Sequence, residues 1–173
     1  MTSQTAGFFV GKEVKVKNYD ENYNFEKKKE KQWKKEHNEG FRCSHCKWWV
    51  VINAFMGTAN RNHCNLCLWS KHVDEKKGDR KSLCQSGMKP IGLTFKQEGH
   101  GKQGELMLIH LCSICGKISI NRIASDDFAE EIIVIFEESQ ALDERRRTEL
   151  IKESIYLLGM GDKEEVFTQL FGR

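Results

Sequence analysis

Seven cysteines, six of them in three Cys-x-x-Cys pairs, constrain the fold of this chain more than any other sequence feature. Two cysteines three residues apart can reach one ion when a tight turn directs both side chains to the same side. Three such pairs predict structural metal sites rather than a single thiol redox pair. The three pairs and the single cysteine are Cys43 and Cys46, Cys64 and Cys67, Cys112 and Cys115, and Cys84.

Zinc is the metal that these ligands favour, because thiolates in small turns suit a tetrahedral ion without redox chemistry. The spacings do not match the common iron–sulfur patterns. The N-terminus lacks an apolar segment followed by a small-residue cleavage site, so we expect a non-secreted, cytoplasmic protein, where disulfides are rare. No run of 18 apolar residues is present, so we expect no membrane contact.

Eight ligands, enough for two zinc ions per chain, are obtained when His72 joins the seven thiols. The division that we favour is based on the similar strand–knuckle–strand pattern around the first and third pairs. It places a first site at Cys43, Cys46, Cys112 and Cys115. It places a second site at Cys64, Cys67, His72 and Cys84.

An alternative division joins the four cysteines that are nearest in sequence, Cys43, Cys46, Cys64 and Cys67. Cys84, Cys112 and Cys115 then share the other site with a histidine. His63 is an alternative to His72 as the histidine ligand, but its position next to Cys64 makes its reach awkward.

The segment around the second pair resembles a known family. Its residues include Arg61-Asn62-His63-Cys64, Cys67-Leu68, His72-Val73-Asp74, Gly78-Asp79-Arg80 and Pro90-Ile91. They resemble the RNHCP domain family over roughly residues 41–127, including Cys112-x-x-Cys115-Gly116. Asn65 stands where the family name has a proline, which loosens the turn but removes no ligand. The resemblance implies a small metal-binding domain and no particular activity.

Apolar periodicity predicts an α+β fold: a small zinc-stabilised β-hairpin or zinc-ribbon domain with C-terminal helices and a basic N-terminal arm. We expect a basic extension over 1–40, the zinc-binding domain over 41–127 and an acidic helical extension over 128–173. Strands are expected over 48–55, 91–96, 106–111 and 117–123, with Pro90 at a strand start. Helices are expected after Ser125-Asp126-Asp127, over 142–158, and after Asp162.

Charge is distributed unevenly along the chain. Residues 41–121 contain 12 Lys and Arg against 5 Asp and Glu, a net +7, whereas residues 122–173 contain 7 against 13, a net −6. A basic region concentrated on one face is typical of nucleic-acid binding, although an ordinary solvated surface has the same composition. The candidate phosphate-contacting residues are Arg61, Lys71, Lys76, Lys77, Arg80 and Lys81.

A structural role is the alternative for the polar residues of this segment. They would hold the loop around the metal ligands and satisfy the sulfurs and the imidazole. The residues concerned are Arg61, Asn62, Asp74, Asp79 and Arg80.

The leading functional hypothesis is a zinc-binding, non-enzymatic protein that binds RNA, in a ribonucleoprotein or the ribosome. It rests on the basic middle region, the basic arm over 25–36, and three aromatic residues, Trp48, Trp49 and Trp69.

Two further hypotheses belong to other classes. A metal-dependent nuclease is suggested by His72-Val73-Asp74, but it needs an open coordination position and a general base, and His72 is already assigned as a ligand. A protein-interaction adaptor would dock its partner on the C-terminal helices, through the stripe Leu150, Ile151, Ile155 and Leu158. That idea weakens if the stripe packs on the zinc domain itself.

Overall fold

The computed structural model describes residues 40–52, 57, 61–97 and 103–172. The predicted basic N-terminal arm lies outside these described residues. The chain divides into two units, Met1–Asn38 and Glu39–Arg173, and the following description concerns the second unit. None of the described helices has the length and apolar character needed to cross a bilayer.

The described chain opens with a small antiparallel hairpin of two strands, β1 (Gly40–Arg42) and β2 (Trp49–Val51). A separate antiparallel sheet contains four strands: β3 (Ser70–Lys71), β4 (Gly87–Gln97), β5 (Gln103–Cys112) and β6 (Ile118–Arg122). Their spatial order is the same as their order along the chain. The expected strands over 91–96, 106–111 and 117–123 correspond to β4, β5 and β6.

Strand β4 begins at Gly87, so Pro90 lies inside the strand rather than at its start. The pairing of β4 with β5 shifts register between Pro90 and Gly92. A proline has no N–H to donate to the ladder and is tolerated at such irregularities. The strand is therefore longer than the sequence predicts, and its proline coincides with a β-bulge.

Three helices follow the sheet: α1 (Ala129–Ser139), α2 (Glu144–Lys152) and α3 (Lys163–Phe171). The Asp143 carboxylate caps α2 by accepting the N–H of Arg146 at 2.8 Å. The predicted helix over 142–158 is wrong beyond Lys152, because Ser154 has a positive φ of 57° and the chain leaves the helix. The N–H of Leu158 instead bonds the carbonyl of Leu93 on β4 at 3.0 Å, so tertiary packing overrides the helical pattern.

The main core lies between the sheet and the helices. Its buried members are Leu68, Leu93, Leu106, Leu108, Ile132, Ile135, Phe136, Leu158 and Val166. This core contains residues from before and after position 127, the expected end of the zinc-binding domain. The acidic helices therefore form a layer of the same fold. The predicted partner-binding stripe is not one exposed face, because Leu150 and Leu158 are buried whereas Ile151 is 71% exposed.

Replacement of Phe136 by alanine tests whether the helices and the sheet form one cooperative core. Phe136 is completely buried, so we expect Phe136→Ala to lower the free energy of unfolding by about 3–5 kcal/mol. The matched control is Phe171→Ala, which removes the same side chain from a position 47% exposed and should cost less than about 1 kcal/mol. Denaturant unfolding of both variants with zinc present provides the measurement. Equal losses would contradict the shared core.

Candidate metal centres

The three Cys-x-x-Cys segments fold into the same turn. In each, the N–H of the residue after the second cysteine bonds the carbonyl of the first cysteine. These N–O distances are 3.2 Å for Lys47 to Cys43, 3.0 Å for Leu68 to Cys64, and 3.2 Å for Gly116 to Cys112. The first cysteine in turn donates its N–H to the carbonyl five residues further on. Each pair is therefore a knuckle that directs two thiols to one side.

The residue after the second cysteine has a left-handed backbone in all three knuckles. Its φ is 64° at Lys47, 57° at Leu68 and 71° at Gly116. Only the third knuckle has glycine, which adopts this conformation without steric cost. The other two turns place an ordinary side chain in a costly conformation, which their surroundings must stabilise.

The knuckles assemble into two groups of four ligands, each with its donor atoms within 4.8 Å of one another. Site A contains Cys43, Cys46, Cys64 and Cys67. Site B contains His72, Cys84, Cys112 and Cys115. All eight residues predicted as ligands are in these groups, and each group could hold one zinc ion, matching the two ions expected per chain.

The distances between donor atoms fit tetrahedral zinc. Two sulfurs about 2.3 Å from a tetrahedral ion lie about 3.8 Å apart, whereas a disulfide holds its sulfurs at about 2.05 Å. In site A, the Sγ atoms of Cys43 and Cys67 are 3.7 Å apart and those of Cys46 and Cys64 are 3.6 Å apart. In site B, the Sγ atoms of Cys84 and Cys112 are 3.6 Å apart. All seven cysteines are free thiols.

The favoured division of the ligands is wrong: Cys43 and Cys46 meet Cys64 and Cys67, not Cys112 and Cys115. The ligands divide as in the alternative described above, and His72 is the histidine that joins Cys84, Cys112 and Cys115 in site B.

Strand pairing explains site B. Ser70 of β3 pairs with Met88 of β4, which pairs with Cys112 of β5. His72 follows β3 and Cys84 precedes β4, so these ligands meet the third knuckle at one end of the sheet. The first knuckle belongs to the separate hairpin and is left to pair with the second.

The two candidate histidines have different roles. His72 is buried, and its Nδ1 lies 3.3 Å from Cys115 Sγ, while its Nε2 has no hydrogen-bond partner in the described part of the chain. His63 is also buried, but its Nε2 lies 2.8 Å from a carboxylate oxygen of Asp127. His63 is therefore part of a hydrogen-bonded network and lies outside both ligand groups.

Burial and hydrogen bonding shift the pKa values of the thiols in opposite directions. Burial raises the pKa of Cys112, but donation from the backbone N–H groups of Cys115 and Ile114 outweighs it, so that the pKa falls to about 6. At Cys64 and Cys67, by contrast, burial outweighs the hydrogen bonds and raises the pKa of both thiols. Crowded thiols cannot all ionise without a cation, so a zinc ion would supply the charge that holds four donors together.

A buried ion pair joins the second knuckle to the start of α1. The Arg61 guanidinium donates to Asp126 at 2.5 Å and to Asp127, and the side chains of Arg61 and Asp127 have no exposed surface. Asp127 also accepts from His63 Nε2 and from the N–H of Ala124, each at 2.8 Å. Asp126 and Asp127 lie before α1, where the sequence placed them, and both bind Arg61.

Arg61 is accordingly not a phosphate contact in this structure, which corrects its place in the predicted basic cluster. Its Nε donates to the carbonyl of His63 at 2.9 Å, so the guanidinium also fixes the backbone just before Cys64. The structural role predicted for Arg61 is the one observed. Asn62 acts through its backbone carbonyl, which accepts from Ser70 Oγ at 3.1 Å.

His110 is a second buried link to the same knuckle. Its Nε2 lies 2.7 Å from the Leu68 carbonyl, and its Nδ1 lies 2.9 Å from the Asn121 amide nitrogen. Burial, followed by the charge of nearby His63, lowers the pKa of His110 to about 3, so the ring stays neutral and donates from Nε2. Sequence reasoning missed Asp127, His110 and Asn121 because strand and helix packing brings them together from distant positions.

The loop between His72 and Cys84 is held by two aspartates. Asp79 accepts the N–H groups of Glu75, Lys76 and Lys81 at 2.9–3.1 Å. Burial raises the pKa of Asp79, but these three backbone donors together outweigh it, so that the pKa is lowered. Asp74 accepts the N–H of Arg80 at 2.9 Å. Both aspartates thus have the loop-supporting role predicted for them.

The remaining predicted phosphate contacts are all exposed on or next to this loop. They are Lys71, Lys76, Lys77, Arg80 and Lys81. Arg80 Nε lies 3.7 Å from Asp74, a weak surface pair. The structure therefore gathers five of the six predicted cations beside site B.

Two double substitutions distinguish the divisions of the ligands. Cys46→Ser with Cys67→Ser removes two ligands of site A only, so the variant should retain one tightly bound zinc. The matched pair, Cys46→Ser with Cys115→Ser, damages both sites and should retain none. Native mass spectrometry of the purified variants measures the zinc content. No zinc in the first variant and one zinc in the second would instead support the division that places Cys43, Cys46, Cys112 and Cys115 in one site.

Substitution of Asp127 tests the buried network. Asp127→Asn removes the fully buried one of the two carboxylates that pair with Arg61, so we expect a loss of about 3–5 kcal/mol in the free energy of unfolding. Asp126→Asn serves as the control, because its side chain is 42% exposed and should cost about 1 kcal/mol or less. Denaturant titration of both zinc-loaded variants gives the two values. A small loss for Asp127→Asn would show that the network contributes little.

Comparison with known families supports the site from an independent direction. No curated protein and no solved structure gave a significant match to the chain. A family model described as the RNHCP domain matches residues 38–133, a range that contains both ligand groups, Arg61 and Asp127. This range covers more than half of the 173 residues. The chain therefore belongs to the RNHCP domain family, and each of the two Cys/His groups in this domain could hold a zinc ion.

Proposed function

We propose that this chain is a non-enzymatic RNA-binding protein whose two zinc ions hold its binding surface in shape. The observation that carries the proposal is the group of exposed cations on the loop between two ligands of site B. We place its action in the reducing cytoplasm, as a component of a ribonucleoprotein particle or the ribosome, since free thiolates persist there.

The cations of the loop are available to an anionic partner. Within the described residues, Lys71, Lys76, Lys77 and Lys81 are exposed and make no side-chain ion pair. Cations elsewhere are often paired, as Arg145 and Arg146 are with Glu149. Four unpaired lysines within eleven residues would neutralise phosphates and release counterions from a nucleic acid.

The loop presents these charges on a fixed frame. Its two ends are held by His72 and Cys84 of site B, and its turn is closed by Asp79. The His72 N–H also bonds the Ser86 carbonyl at 2.8 Å. A fixed frame lowers the entropic cost of ordering the loop when a partner binds.

The metal geometry favours a structural role over hydrolysis. Each site has four protein donors, which fill the tetrahedron and leave no position for an activated water. His63, the other histidine of this segment, is buried and bonded to Asp127, so it is not available as a general base. These contacts weigh against the nuclease hypothesis. The adaptor hypothesis is weakened by the burial of Leu150 and Leu158.

Charge removal from the loop tests the proposal. We expect Lys76→Gln, Lys77→Gln and Lys81→Gln together to weaken RNA binding uniformly across sequences, and to reduce the salt slope of log K by about 2 for three lost phosphate contacts. Fluorescence anisotropy with a labelled single-stranded RNA at several salt concentrations provides the measurement.

The matched control removes three cations from the helical layer, Arg145, Lys152 and Lys163, each replaced by glutamine. This control changes the net charge equally but should leave affinity and salt slope near those of the wild-type protein. Equal losses in the two variants would mean that only the total charge matters. Absence of RNA binding by the zinc-loaded wild-type protein at low salt would refute the proposed function.

A further inference from the structure

The β1–β2 hairpin exposes two adjacent tryptophans. Trp48 is 53% exposed and Trp49 is 41% exposed, although indole rings are among the side chains with most to gain from burial. Inside the hairpin, the buried members are Cys43 and Val50, with Phe41 partly covered. Two large aromatic side chains directed outward from so small a unit suggest a surface for recognition.

The pleat of the hairpin fixes which side Trp49 occupies. Val50 is completely buried, so Trp49 and Val51 lie on the opposite, outward face. A Cβ atom at Gly40 would lie 3.1 Å from the Trp49 ring, which shows that the ring packs across the glycine of the neighbouring strand. The ring is therefore supported by the hairpin backbone and keeps part of its surface open to solvent.

Cations flank the tryptophans within the hairpin. Arg42 is the cross-strand partner of Trp49, and Lys47 precedes Trp48. Both cations are exposed, and Arg42 Nη1 donates to the Lys47 carbonyl at 3.0 Å. Residues 40–52 contain no Asp or Glu. The described residues of the hairpin thus combine flat aromatic rings with positively charged side chains.

This combination matches the chemistry of unpaired nucleotides. A base offers a π face to an indole, and its phosphate is attracted to neighbouring Arg and Lys side chains. Bases inside a duplex are already stacked on each other and cannot reach an aromatic surface of this kind. The hairpin therefore fits a single strand better than a duplex.

The hairpin also adjoins the cationic loop. The His45 ring, in the first knuckle, stacks on the Trp69 ring with centroids 4.1 Å apart and an interplanar angle of 2°. The Trp69 ring packs in turn against Gly87, where a Cβ would lie 3.3 Å from it. Gly87 is the pairing partner of Lys71, at the beginning of the cation cluster. The first knuckle is thus packed, through Trp69, against the strand pair that contains Lys71.

We propose that Trp48 and Trp49 form a stacking platform for the bases of single-stranded RNA, whose phosphates continue onto the lysines beside site B. The proposal rests on the proposed function and adds the binding mode to it. Trp48 and Trp49 supply the base contacts, Arg42 and Lys47 supply local charge, and site A keeps the hairpin folded.

The test compares two double variants of the full chain. Trp48→Leu with Trp49→Leu keeps apolar side chains but removes the aromatic faces, and Trp48→Phe with Trp49→Phe keeps smaller aromatic faces. Binding of a labelled oligouridine is measured by fluorescence anisotropy, beside a duplex RNA of equal length. Native mass spectrometry first establishes that both variants retain two zinc ions.

We expect the leucine variant to bind the oligouridine at least about 30-fold more weakly, because each stacked base contributes about 1–3 kcal/mol. The phenylalanine variant should retain most of the affinity, and the salt slope should stay unchanged in both, since phosphate contacts are kept. The wild-type protein should prefer the single strand to the duplex.

The outcomes separate this inference from the proposed function. Oligouridine affinity equal to wild type in the leucine variant, or wild-type preference for the duplex, would overturn the stacking platform while leaving RNA binding by the lysines intact. Failure of the wild-type protein to bind either RNA at low salt would overturn both. Loss in the leucine variant with recovery in the phenylalanine variant would support the platform.

Discussion

The buried ion pair between Arg61 and Asp127 is the interaction on which the two halves of this domain depend. A guanidinium without exposed surface is tolerated only when it is fully paired, and Arg61 is paired by two aspartates and a backbone carbonyl. Because those aspartates immediately precede α1, the pair fixes the second knuckle against the helical layer. His63 joins the same carboxylate, so the residue next to Cys64 is oriented by the helix start as well.

The second knuckle is thus the joint between the metal centres and the apolar core. Leu68 has a left-handed backbone, a side chain in the main core, and a carbonyl bonded by His110. The cost of the left-handed backbone is about 1–2 kcal/mol, and full burial of a leucine returns about 1.5–3 kcal/mol. The core therefore stabilises the turn that presents Cys64 and Cys67. A glycine here would relax the backbone but would leave a cavity in the core.

The identity of the ligands was within reach of the sequence, whereas their division was not. Cys-x-x-Cys spacing is a local property of the sequence, and so are the runs of apolar residues that predict β4, β5 and β6. Site B, however, depends on β3, a two-residue strand with no periodicity to detect. The sequence did not indicate the end of α2 at Lys152 either, because that end is associated with the long-range hydrogen bond between Leu158 and Leu93. Long-range pairing decides these features, and no short stretch of sequence encodes it.

The division of the ligands associates each site with a different surface: site A includes two ligands of the hairpin, and two ligands of site B flank the lysine-bearing loop. In the β1–β2 hairpin, full burial of a side chain such as Val50 contributes about 1.5–3 kcal/mol, and a lone hairpin is marginal in water. A structural zinc site contributes about 10–16 kcal/mol of apparent binding free energy, so a zinc ion in site A would stabilise the hairpin more than its small core does. A unit that needs no large core for its stability can leave Trp48 and Trp49 in solvent. Zinc at site A would therefore let these aromatic side chains stay exposed, as the proposed stacking platform requires.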